Sequence, residues 1–258
     1  MAWHDESSHP FAGIAKKLER SDENISNLDV EIGKFFAGSR YPVLPKMNSE
    51  SWQDALGYHR TLPVPVRFAV LCGEIVHHLR SSLDHIAWHF SSSEYRSSNE
   101  NAIEFPVFAK RPLAKDETAR YNRKVCGITN QRVLTLISEL QPYNSGGDAK
   151  DNLVCIVHDM DRFDKHRELA VITTCANLTP VSPVGELAID AMCKFRQGHN
   201  FSDTDLVIAQ EAMQNHVEIA PQIAFAQFGN RKAHPVLPGL AQLRNSMFNI
   251  IEMFALEV

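Results

Sequence analysis

A mainly helical (α+β) fold is predicted: an antiparallel helical bundle with a small antiparallel β-sheet inserted before the C-terminal helix. Apolar residues recur three and four apart over Pro10–Phe36, Pro63–Ser93 and from Pro235 onward, the spacing of one helix face. Between about 168 and 234 that period gives way to alternation, the mark of half-buried strands. Residues 1–167 are therefore assigned to the bundle, 168–234 to a β-rich insertion, and 235–258 to a helix that returns to the bundle.

The first helix carries Phe11, Ile14, Leu18, Ile25, Leu28, Ile32, Phe35 and Phe36, and Ala37-Gly38-Ser39 stops it. Pro42, Pro45, Trp52, Gly57 and Tyr58 predict an ordered connector packed by aromatics. Pro63 and Pro65 open the central helix of 63–93, whose core stripe is Phe68, Cys72, Ile75, Leu79, Leu83, Ile86 and Phe90. Ile103–Phe108 reads as extended, and the basic stretch after it as a loop. Helices follow over Asn130–Leu140, closed by Pro142, and over Ala149–Arg162, which delivers Asp164-Lys165-His166-Arg167 at its end. Strands are expected at Leu169–Leu178, Leu187–Phe195, Leu206–Glu211 and Val217–Phe228, with Pro221 marking an edge or bulge.

With 258 residues, 44% apolar and 22% charged, the chain is neither disordered nor membranous in composition. No apolar run reaches the roughly 20 residues of a membrane span, and no secretory signal is evident, so a cytoplasmic location is expected. Five scattered cysteines give neither a disulfide framework nor a zinc motif, and are expected as reduced core residues. A net charge of −5 excludes a broad nucleic-acid surface. Locally, however, Lys110, Arg111, Lys115, Arg120, Arg123, Lys124 and Arg132 face only Asp116 and Glu117, a balance of +5. A phosphate-attracting patch and a solvated basic loop both fit that stretch.

The polar face of the central helix is rich in histidine. At about 100° per residue, Glu74, His78, His85 and His89 fall within about 60°, with His77, Arg80 and Asp84 on the neighbouring strip. Imidazole is the usual proton-transfer group near neutral pH, so this face is the candidate site. Arg80 and His85 lie about 140° apart on a straight helix, and one copy cannot easily aim both at one atom; two copies packed about a two-fold axis can. A metal site would draw on Glu74, His78 and His85 with Asp164 or His166, but His85 stands about 10 Å further along the helix axis than His78. No cofactor is expected, and no glycine-rich phosphate loop occurs, because Gly146-Gly147 lacks the Lys-Ser/Thr ending.

Arg80-x4-His85 on a bundle helix resembles the motif of the higher eukaryote and prokaryote nucleotide-binding (HEPN) superfamily, many of whose members are dimeric, metal-independent endoribonucleases. The stretch Gly73–His85, with Gln141-Pro142-Tyr143 and Asp164–Arg167, is also similar to a group of uncharacterised bacterial proteins with a His-Asn-Leu-Arg-Ser-Ala-Leu-Asp-His segment; this chain departs from it at His78 and Ser82. The first resemblance implies that His85 takes the proton of a 2′-hydroxyl, that Arg80 stabilises the phosphate, and that His85 of the partner subunit protonates the leaving oxygen. Glu74, His77, Asp84, Asp164, His166 and Arg167 would support that site, and Lys110, Arg111, Arg120, Arg123 and Lys124 would hold RNA. The alternatives are a catalytically silent homodimer that binds nucleotide or protein, and the metal-dependent hydrolase.

Overall fold

The computed structural model describes residues 8–38, 63–196 and 199–258; the connector with Pro42, Pro45, Trp52, Gly57 and Tyr58 lies outside them. Helix α1 (Ala12–Gly38) packs on α2 (Val66–Phe90), and α2 also meets α6 (Leu153–Asp164) and the last helix, α9 (Val236–Ala255). The central helix is thus the shared partner of three others. Its predicted stripe is the core: Phe68, Cys72, Ile75, Leu79, Leu83 and Ile86 are fully buried, while Phe90 is half-buried. Phe11, just before α1, with Ile14, Leu18 and Leu28 of α1, and Leu240, Leu243, Met247 and Phe254 of α9, close on it.

Short helices fill the middle of the chain. Ser92 caps α3 (Ser93–Asn99), its Oγ accepting from the Tyr95 amide at 3.2 Å. The basic stretch expected as a loop is instead partly a helix, α4 (Lys115–Val125), with Asp116 and Glu117 in its first turn and Arg123 and Lys124 in its last. That distribution complements the helix dipole and stabilises a segment that buries only Val125. Asn130 caps α5 (Gln131–Glu139), and Asn152 caps α6, which therefore starts four residues later than its period suggests; a 3₁₀ turn occupies Ala149–Asp151.

The sheet is antiparallel, in the order β1 (Val171–Pro180), β2 (Val217–Phe228), β3 (Arg231–Pro235). Pro221 pairs with Cys175, where the β1 register shifts, and β3 pairs only with the later half of β2. The proline thus sits at an irregularity, and among the described residues no strand pairs on its other side, which suits a residue with no amide to donate. Gly229-Asn230 make the two-residue turn into β3, with Gly229 at φ +60°, which glycine adopts without strain. Asp151 receives the Asn230 amide at 3.0 Å and ties this turn to the 3₁₀ turn.

Two expected strands are helices: α7 (Pro183–Arg196) covers Leu187–Phe195, and α8 (Asp203–His216) covers Leu206–Glu211. Local capping decides both. Ser182 Oγ accepts from the Gly185 amide with Pro183 in the first turn, and Ser202 and Asp205 exchange amide-to-side-chain bonds at 3.2 Å as a capping box. The apparent alternation in α7 also has the wrong face, since Leu187 is exposed and Ala188 buried. The insertion therefore holds two helices as well as the sheet. Cys72 and Cys155 are buried, but Cys126 and Cys193 are exposed, unlike the expected core placement. Among the described residues no helix is long and apolar enough to cross a membrane.

Candidate functional site

Arg80 does not face solvent. It is 3% exposed, its Nη2 donates to the Phe105 carbonyl at 2.9 Å, and its Nη1 lies 2.7 Å from Asp84 Oδ1. The same Asp84 oxygen accepts the Phe105 amide at 2.9 Å. Gln141, also buried, donates to the Pro106 carbonyl at 2.8 Å and accepts the Phe108 amide at 3.1 Å. Arg80, Asp84 and Gln141 thus satisfy the backbone of 105–108, an extended segment outside the sheet, whose polar groups would otherwise be costly to bury. Glu104 at the head of the segment pairs with Lys124 and stands 3.7 Å from Arg80.

Burial drives the protonation states around this cluster. Burial, with Arg80 nearby, pushes the Lys124 ammonium down to about 8 and the His158 imidazole down to about 4, and burial raises the Asp84 carboxyl. The consequence for His158 has a definite sign. As pH falls below 6.5 the unfolded chain takes up its proton and the folded one does not, so stability is lost between 6.5 and about 4. We expect a loss of about 2 kcal/mol between pH 7 and 4.5 in urea titrations, and a flatter profile in His158→Gln. Asp84 and Asp164, whose carboxyls are raised, act in the opposite sense at the acid end of that window.

His85 is exposed on another side of α2. Its imidazole is lowered by partial burial and by Lys17 of α1, as is that of His78, and His89 packs edge-on against Phe11 at 5.3 Å. These three histidines run along α1, whereas Arg80 points into the chain. The wide angle expected between Arg80 and His85 is therefore realised, and their polar groups do not meet within one chain. Nor does the Glu74, His78, His85 set assemble around an ion. Glu74 accepts from Asn24 at 3.1 Å, and among the described residues no three His, Cys, Asp or Glu side chains are grouped to hold a metal.

Of the residues expected only in support, Glu74, His77, Asp164 and Arg167 converge, whereas Asp84 stays with Arg80 and His166 lines another cleft. A groove of about 450 Å³ between the start of α2 and the end of α6 is lined by Val66, Val70, Gly73, Glu74, His77, Asp164, Arg167 and Glu168. His77 Nδ1 stands 2.9 Å from Oδ1 of the buried Asp161, whose other oxygen is 2.7 Å from Lys165 Nζ. A carboxylate that takes Nδ1–H fixes the tautomer and leaves Nε2 of the half-exposed ring as the proton acceptor. Gly73 permits the close approach of α6, because a Cβ there would overlap the Asp164 carboxylate. Burial first, then the neighbouring Asp161, raises the Asp164 carboxyl. Asp161 was not anticipated from sequence; its signal is an acid on the inner side of an otherwise apolar helix face.

Arg167 also lines a cleft of about 830 Å³ between α6 and β2, rimmed by Lys150, Arg162, His166 and Arg167 over Met160, Leu169 and Phe225. The basic stretch has mixed placement. Lys110, Arg111, Arg120 and Arg123 are exposed, with the Arg111 guanidinium 5.2 Å from the Tyr143 ring and that of Arg120 5.9 Å from the Phe108 ring. Lys124 is held inside against Glu104 and is not offered to a ligand. No protein family, curated protein or solved structure was found to match the chain.

Proposed function

We propose that the chain is a metal-independent endoribonuclease in which His77, oriented by Asp161, is the base and Arg167 the phosphate contact. The observation that carries this reading is the His77–Asp161 pair at 2.9 Å, opening on a groove that Arg167 also lines. His77 Nε2 takes the proton of a ribose 2′-hydroxyl, the 2′ oxygen attacks the adjacent phosphorus, and the bond to the 5′ oxygen breaks. The leaving oxygen draws a proton from solvent, and a 2′,3′-cyclic phosphate remains. Arg167 offsets the charge that develops on the phosphate. Arg167 is the one permanent cation among the groove's lining residues, beside Glu74, Asp164 and Glu168, and is the group that would attract a phosphate there. The chemistry implied by the resemblance is kept, but its residues are exchanged, since Arg80 is engaged with the chain's own backbone.

Mixed RNA incubated with the protein in EDTA should be cut to 2′,3′-cyclic ends, and deoxyribose at the scissile position should block cutting. His77→Ala should lower the rate about 10²–10⁴-fold. Loss of cutting in His85→Ala with His77→Ala still active would instead return the base to His85 and to a cleft shared by two copies. Activity abolished by EDTA and restored by a divalent ion would favour the hydrolase, and binding without cutting the silent protein. Dimerisation is not required by a site whose base, orienting carboxylate and arginine come from one chain. Light scattering beside the assay gives the mass of the active species.

A further inference from the structure

We infer that the cleft between α6 and β2 is the subsite for an unpaired nucleotide, so that the substrate is single-stranded. This rests on the ribonuclease reading, and Arg167, which lines both cleft and groove, is the link between them. The cleft combines two chemistries. Its floor is apolar, with Met160 and Phe225 buried, and its volume of about 830 Å³ suits a small planar group. Its rim is cationic, because Asp159, the one acid lining it, already pairs with Arg162 at 3.1 Å. A ligand that fits both is flat and apolar in one part and anionic in another, as a nucleotide is.

The wall supplies the stacking element. Phe163 is 42% exposed at the end of α6, an unusual position for a phenyl ring on a helix with a buried face, and the Arg167 guanidinium lies 5.8 Å from its centre. An aromatic ring and a guanidinium plane receive any base by its face, whereas base pairing and stacking in a duplex leave no face to offer. A base against Phe163 has Arg167 beside it, and Arg162 on the same rim, to meet its phosphate. The cations of Arg111 and Arg120, stacked on Tyr143 and Phe108, offer the same pairing of ring and guanidinium elsewhere on the surface.

The test uses the His77→Ala chain, so that RNA stays intact, and fluorescence anisotropy in EDTA with a labelled strand of roughly ten nucleotides. The single strand should bind at least about tenfold more tightly than the same strand annealed to its complement. Adenosine 5′-monophosphate should displace it at concentrations where inorganic phosphate does not. Phe163→Ala should weaken binding about tenfold, and Arg162→Glu should weaken it and flatten its salt dependence. Equal affinity for the duplex, or unchanged binding in Phe163→Ala, overturns the assignment of the cleft. If the unmodified chain still cuts RNA in that case, the His77 reading stands; if it neither binds nor cuts, both fall.

Discussion

Arg80→Ala should cost about 3 kcal/mol of stability and should do so whether or not RNA is present. Removing one partner of a buried charged cluster typically costs 3–5 kcal/mol, and we take the low end because Asp84 and Glu104 are partly exposed. For a chain of this size that is a fall of about 8 °C in melting temperature. The guanidinium also donates to the Phe105 carbonyl, so the substitution leaves that acceptor unpaired. Arg80→Lys should recover only part of the loss, since an ammonium cannot reach Phe105 and Asp84 with a planar fork. His85→Ala, at an exposed position, should stay within about 0.5 kcal/mol of the parent. The contrast matters because the helical wheel puts both residues on the polar side of α2, where neither substitution should disturb the fold. An unchanged melting temperature in Arg80→Ala would show that the guanidinium does not hold the 105–108 segment.

Leu79→Asp should leave no cooperative transition in a thermal melt followed by circular dichroism. Leu79 is fully buried on α2, the helix that α1, α6 and α9 all share. The substitution removes the packing of a leucine, at about 2–5 kcal/mol, and adds a carboxyl group with no partner in the core. Together these approach the whole stability of a typical domain. A melting curve like that of the parent would mean that the buried side of α2 has been misidentified.

The bundle was legible where burial alone sets the pattern. The stripes of α1, α2 and α9 repeat at helix spacing because each packs one face on the same core, and the strands expected at Leu169–Leu178 and Val217–Phe228 are present as β1, shifted to Val171–Pro180, and β2. The failures fall where capping or charge outweighs burial. Ser182 with Pro183, and the Ser202–Asp205 box, make helices of one stretch whose apolar residues happen to alternate and of another that is a short apolar run. Helix α4 buries one residue and so shows no stripe; its charges at the two ends were the available signal. Strand β3 is five residues long, and its cue was the Gly229-Asn230 pair.

The candidate site was half legible. His77, Asp164 and Arg167 stood out as polar residues in dense clusters, and the structure brings them to one groove. Their arrangement was hidden, because it depends on which sides of α2 and α6 meet. Asp161 orients His77 across a gap of 84 residues, which no local spacing records. Arg80 misleads for a related reason. An arginine on the polar strip of a helical wheel looks solvated until a segment 25 residues away is found to cover it.

The 105–108 segment also says something about the order in which the chain assembles. Its carbonyl and amide groups are met by Arg80 and Asp84, which share a face only once α2 is helical, and by Gln141, which is positioned by the end of α5. A strand can begin pairing with a partner that is still forming, one residue at a time. This segment has no such nucleus: until both helices exist there is nothing for it to bind. Its docking presupposes both helices, and it seals the side of α2 carrying Arg80, where Lys124 and His158 lie beside that guanidinium.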